Sequence, residues 1–157
     1  MTDARYEDAD EAPLRLIAVE AADVPVLAAL VQDAVFPITE MRHDPKARRF
    51  AILLNRFRWE DRAAAEAAKR PYERVRSLLI VEDILRLRSS GIDRSDRDTV
   101  LSILTLEFMP LADGMGTLTL MLAGDGAIAM DVEAVNLRLE DVTRPYVAPS
   151  RKMPDHG

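Results

Sequence analysis

The chain has 157 residues, a net charge of −6 and no cysteine, and it is 48% hydrophobic and 31% charged. That length suits one domain with a sizeable core, and the composition is that of an ordinary globular protein. Disulfides, thiol catalysis and cysteine-based zinc or iron–sulfur sites are excluded, and no apolar run approaches the roughly 20 residues that cross a bilayer.

Residues 1–12 are acidic and lack an apolar segment of secretory type, so they read as a flexible end of a cytoplasmic protein. Leu14 to Val19 alternates well enough for a first strand. Asp23 is a plausible N-cap with Pro25 in the first turn, and Val24, Leu27, Ala28, Val31 and Val35 recur at helical spacing until Pro37. Ile38 to Asp44 and Phe50 to Trp59 then read as two strands around the turn Asp44-Pro45-Lys46. The Ala- and Glu-rich stretch Glu60 to Lys69 reads as a short exposed helix ended by Pro71.

Strand follows strand after that: Arg76–Val81, Ile84–Ser89, Val100–Phe108, Thr117–Leu122, Ala127–Val132 and Val135–Leu139. Turn-forming residues separate them at Ser90–Asp96, at Asp113-Gly114 and at Gly124-Asp125-Gly126, the last a tight-hairpin signal. Leu79–Ile84 resembles Met130–Val135, a weak hint of internal duplication. The proline-bearing end, residues 143–157, has no apolar periodicity and reads as a second flexible arm. The expected fold is α+β and mostly antiparallel β, a single globular domain over residues 13–142 with one covering helix near the N-terminus. A compact sandwich of two packed meanders and a pleckstrin-homology-like barrel both fit.

Charge falls in three blocks. Residues 1–41 carry 2 basic and 9 acidic side chains, residues 42–97 carry 15 and 9, and residues 98–157 carry 4 and 9. Either the outer acidic blocks pair with the basic middle inside the fold, or part of the middle faces an anionic partner. Within that middle, arginines stand two apart at Arg56 and Arg58, at Arg74 and Arg76, and at Arg86 and Arg88. Strand periodicity puts each pair on one face, with Phe57 and Trp59, or Leu85 and Leu87, facing the core. Side by side, three such strands would make a guanidinium-covered patch able to grip carboxylates or phosphates bidentately.

No catalytic constellation assembles. The histidines are His43 and His156, with no serine-nucleophile elbow and no phosphate loop before a helix. No metal site is expected, because Asp93–Asp98 lacks the central Gly and terminal Glu of a calcium loop. No cofactor is implied.

Arg49 to Asp61 (RFAILLNRFRWED), Gly91 to Asp96 (GIDRSD) and Leu137 to Asp141 (LRLED) resemble an uncharacterised family of small alphaproteobacterial proteins, domain of unknown function 2948. Pro13–Ala18 and Leu30–Val35 fit the same family, so the likeness spans about residues 13–142. It implies a stand-alone bacterial domain and carries over no functional residue. The expected function is a non-enzymatic binding or adaptor protein that engages an acidic protein partner through Arg56, Arg58, Arg74, Arg76, Arg86 and Arg88. The alternative is a small-ligand module or minor enzyme holding a phosphate or carboxylate with the same arginines. Nucleic acid is disfavoured by the pI near 5.0.

Overall fold

A computed structural model describes residues 12–147. The expectations for the two chain ends lie outside the described residues, apart from Ala12 and residues 143–147. Among the described residues, eleven strands form one antiparallel sheet: β1 (Arg15–Ala18), β2 (Val35–Pro37), β3 (Met41–Asp44), β4 (Arg49–Phe57), β5 (Glu73–Val81), β6 (Ile84–Ser90), β7 (Val100–Pro110), β8 (Gly116–Leu122), β9 (Ala127–Val132), β10 (Leu137–Asp141) and β11 (Tyr146–Val147). The strand path is β1-β10-β5-β4-β2-β7-β8-β9-β6, with β3 on β4 and β11 on β5. The sheet is not closed, so the barrel alternative gives way to two halves, β1-β10-β5-β4 and β7-β8-β9-β6, joined through β2.

Alternation explains most of this. Phe50, Ile52 and Leu54 on β4, Val75, Leu79 and Val81 on β5, and Leu118, Leu120 and Leu122 on β8 are buried in the inward phase of their strands. Most of them meet Ile128, Met130, Leu137 and Leu139 in a single core cluster. The helix α1 (Val24–Val31) lays Val24, Leu27, Ala28 and Val31 against the same cluster, with Pro25 in its first turn where a missing N–H costs little. A second helix, α2 (Arg62–Ala67), occupies the Ala-rich stretch as expected.

Several boundaries differ from the sequence reading: Ile38–Glu40 form a 3-10 turn before β3, β4 ends at Phe57, β5 starts at Glu73, and β10 runs Leu137–Asp141. The helix stops at Val31 rather than Val35: Gln32 is extended and Asp33 is left-handed at φ 63°. Val35 and Phe36 are β-formers and go instead to β2, where Val35 pairs with both Asn55 and Ser102. At the other end of the chain, Tyr146 and Val147 add a short strand beside Arg74 and Glu73 within the stretch read as an arm.

The two look-alike segments turn out to be neighbours. The corner between β5 and β6 packs on the corner between β9 and β10, with Glu82 N–H donating to Asn136 O and Glu133 N–H to Asp83 O. Val81 lies opposite Leu137, and Ile84 opposite Val132.

Candidate functional site

The six arginines do not form one patch. Arg56 and Arg58 correct the expectation that they point outward. The phase set by Phe50, Ile52 and Leu54 carries Arg56 inward, where its side chain is 0% exposed. Arg58 lies past the end of β4, in a non-extended conformation that breaks the alternation, and it too is buried. Trp59, expected in the core, starts a 3-10 turn, is half-buried, and donates Nε1–H to Gln32 O at 2.9 Å. Its ring meets Phe57 edge-on at 4.6 Å.

Arg56 is a structural clamp. Its forked head reaches Glu60 at 2.8 Å by two nitrogens and Asp141 at 2.9 Å, while Nε donates to Ser77 Oγ at 3.1 Å. Asp141, with a side chain 4% exposed, also accepts from Ser77 Oγ at 2.7 Å and from Leu14 N–H at 2.9 Å. Burial works against the Arg56 charge, but hydrogen bonds and charges from Glu60 and Asp141 outweigh it and hold the guanidinium above its ordinary pKa. One buried guanidinium thus ties β4, β5 and β10 to the turn after β4.

Arg58 bonds Glu73 and lies 3.5 Å from Asp61, which in turn holds Arg70 through two bonds of 2.6 and 2.7 Å. The Arg70 hydrogen bonds, opposed by burial and helped by the Arg58 charge, hold the Asp61 carboxyl below its ordinary pKa. That stabilisation is fully present above the unfolded value of about 3.9 and is lost as pH falls through the lower folded value. Asp61→Asn is therefore expected to cost about 1–2 kcal/mol at neutral pH, with the difference from wild type shrinking in acid. Urea titrations at pH 7 and pH 3 check this; a deficit unchanged by pH would show that Asp61 acts by packing alone.

A cleft of about 640 Å³ adjoins this network, lined by residues that include Arg58, Arg144, Glu73 and Asp141. Its two arginines are matched by two carboxylates, so it offers little net attraction to an anion.

Arg74 and Arg76 are placed as expected, on the outward face of β5. Arg74 bonds the Asn55 side chain at 2.5 Å, and burial depresses its pKa. Arg76 stands opposite Asn55, is exposed, and makes no ion pair among the described residues. Beside it lies a cleft of about 320 Å³ lined by Val35, Phe36, Pro37, Leu53, Val100, Asn55 and Tyr146, with no carboxylate.

Arg86 and Arg88 also face outward, but on β6, far along the strand path from β5. Leu87 packs on the core, but Leu85, expected there too, falls at the register shift between Ile84 and Arg86 and is exposed. Arg88 is bound to Asp131 by bonds of 2.6 and 3.1 Å. Arg86 lies opposite Asp131 in register and forms no ion pair of its own among the described residues. The basic middle block is thus partly answered by the acidic C-terminal block: Arg56 by Asp141, Arg88 by Asp131, and Arg48 by Glu133 at 2.5 Å.

Other candidates add little. His43 is exposed on β3, and His156 lies outside the described residues. In the loop after β6, Asp93 accepts from Ser95 and Asp96 from Asp98 N–H, so both carboxylates cap turns. Among the described residues no group of three or more His, Asp or Glu side chains is placed to hold a metal ion, and no helix is long and apolar enough to cross a membrane.

The sequence model of a family described as "Protein of unknown function (DUF2948)" matches residues 14–156. No curated protein matches the chain, and no solved structure does. The chain belongs to that family, as its motifs implied.

Proposed function

We propose that this DUF2948 protein is a non-enzymatic binding protein of the bacterial cytoplasm that engages an acidic segment of a partner protein, with Arg76 as the principal contact. The observation that carries the reading is the exposed Arg76, without an ion pair among the described residues, beside an apolar cleft free of carboxylates. A guanidinium with no acid partner among the described residues can take a partner's Asp or Glu without first breaking a bond to one of them. The cleft floor of Val35, Leu53 and Val100 suits an apolar anchor next to that acid. Arg74 supports the site from its bond to Asn55, and Arg56 and Arg58 serve the fold beneath it.

The alternative, a phosphate or carboxylate ligand held by the same arginines, has less support. Glu60, Asp141 and Glu73 already occupy the forks of Arg56 and Arg58, and two carboxylates line the larger cleft.

The test is capture from native lysate at low salt, comparing wild type with Arg76→Glu and with the remote control Arg42→Glu. Reversing a contacting charge is expected to weaken retention of the specific partner at least about tenfold, while the control retains it. Raising salt should weaken the wild-type complex as well. Equal recovery by all three proteins would overturn the assignment.

A further inference from the structure

The strand path ends at β6, seven residues long, which pairs with β9 on one side and with no strand on the other among the described residues. Ile84 N–H is taken by Arg48 O, and a register shift separates Ile84 from Arg86, so the open stretch is Arg86–Ser90. It contains no proline or lysine, and Ser89 and Ser90 at its far end are small and exposed, although Leu87 and Ser89 also line a cavity of about 40 Å³ shared with Met41, His43 and Phe50. An open edge of this kind is a template for a further strand unless something blocks it.

The arginines decide which strand can come. Arg86 and Arg88 project on the outward face while Leu87 packs on the core. Consider a second copy pairing antiparallel through β6, with the outward faces kept together. Any register centred on Arg86, Leu87 or Arg88 then sets arginine opposite arginine, a destabilising cross-strand arrangement. Slipping by one residue instead puts Leu87 on the solvent face. Asp131 engages Arg88 but is one acid for two arginines, so the outward face of β6 and its neighbour β9 remains net positive.

We infer that the Arg86–Ser90 edge of β6 accepts an extended acidic segment of another protein by β-strand addition. Main-chain hydrogen bonds to the open edge hold the segment, and its outward-facing Asp or Glu side chains lie opposite Arg86 and beside Arg88, whose fork Asp131 already holds. This is a recurring mode of peptide recognition, in which backbone bonding supplies affinity and alternate side chains supply selectivity. The edge is a separate surface from the Arg76 cleft, and it stands or falls without that site.

The experiment is residue-resolved amide hydrogen exchange on the full chain, with and without an end-capped synthetic peptide of alternating Glu and Val. Amides in Arg86–Ser90 that point to the open edge should slow by roughly tenfold or more when peptide binds. The same peptide N-methylated at alternate residues should give no protection, because it cannot complete the ladder. Arg86→Glu should abolish the effect; that side chain is exposed, so the fold tolerates the change. Ser90→Glu adds the same repulsion without touching either arginine and should weaken the effect too. Unchanged exchange in β6, protection confined to β1 or to the Arg76 cleft, or dimerisation of the chain without peptide would each overturn the inference.

Discussion

Replacing Arg56 with Met is expected to lower the free energy of unfolding by about 3–5 kcal/mol, the cost of stranding a buried ionic partner. The stranded partner is Asp141, whose carboxylate is almost fully enclosed and shares its oxygens among Arg56, Ser77 Oγ and the Leu14 amide. Two neutral donors remain after the substitution, but no positive charge does, and Met fills the space without meeting the carboxylate's charge. Glu60 suffers less because it is 30% exposed and can turn to water. Guanidinium chloride titration followed by Trp59 fluorescence gives the number. A cycle with Asp141→Asn should show strongly non-additive losses, coupled by roughly 2–3 kcal/mol. A single-variant loss under about 1 kcal/mol would mean that water or a proton replaces the guanidinium readily. The clamp would then be a minor part of the fold.

Phe36→Ala is expected to cost a similar amount, about 3–5 kcal/mol, for a different reason. Phe36 is 0% exposed and sits in the three-residue strand that joins the two halves of the sheet. Removing its ring opens a cavity where β2 bridges β4 to β7, and backbone pairing at Val35 and Pro37 cannot close it. Because both halves feed one core cluster, unfolding should stay a single cooperative step. The check uses two probes. Trp59 reports on the turn after β4, and far-ultraviolet circular dichroism reports on the whole sheet. Coincident transitions shifted to lower denaturant are expected. Separated transitions would show instead that β2 is what couples two otherwise independent halves.

The alternation on β5, β8 and β9 was legible because each strand has one face in the core and one outside it, so apolar and polar residues take turns. On β4 the same rule held, and Phe50, Ile52 and Leu54 placed Arg56 inside. Reading the phase backward from Phe57 and Trp59 hid this, because the strand ends at Phe57 and the chain then turns. An arginine at an inward position normally argues against that register, since burying it unpaired is prohibitive. Here Asp141, 85 positions away, supplies the missing charge and makes the inward position stable. Nothing local to residues 49–61 announces that partner. The end of α1 was obscured in a comparable way: Val35 continues the helical spacing, but its place is in a strand whose two neighbours come from later in the chain.

The amino-acid sequence by itself determined the family, the mostly antiparallel class, the covering helix and the order of most strands along the chain. The family rests on motifs, and the rest follows from local periodicity and turn chemistry. Only the tertiary structure decided which arginines are available. Whether a guanidinium is engaged or exposed depends on carboxylates brought to it by strand pairing, as Asp141 is to Arg56 and Asp131 to Arg88. Arg76 and Arg86 differ from those two in having no such ion pair among the described residues, although all four share the same local pattern. Charge pairing at a few ångströms is a property of three-dimensional neighbours, and sequence spacing reports on neighbours only within an element.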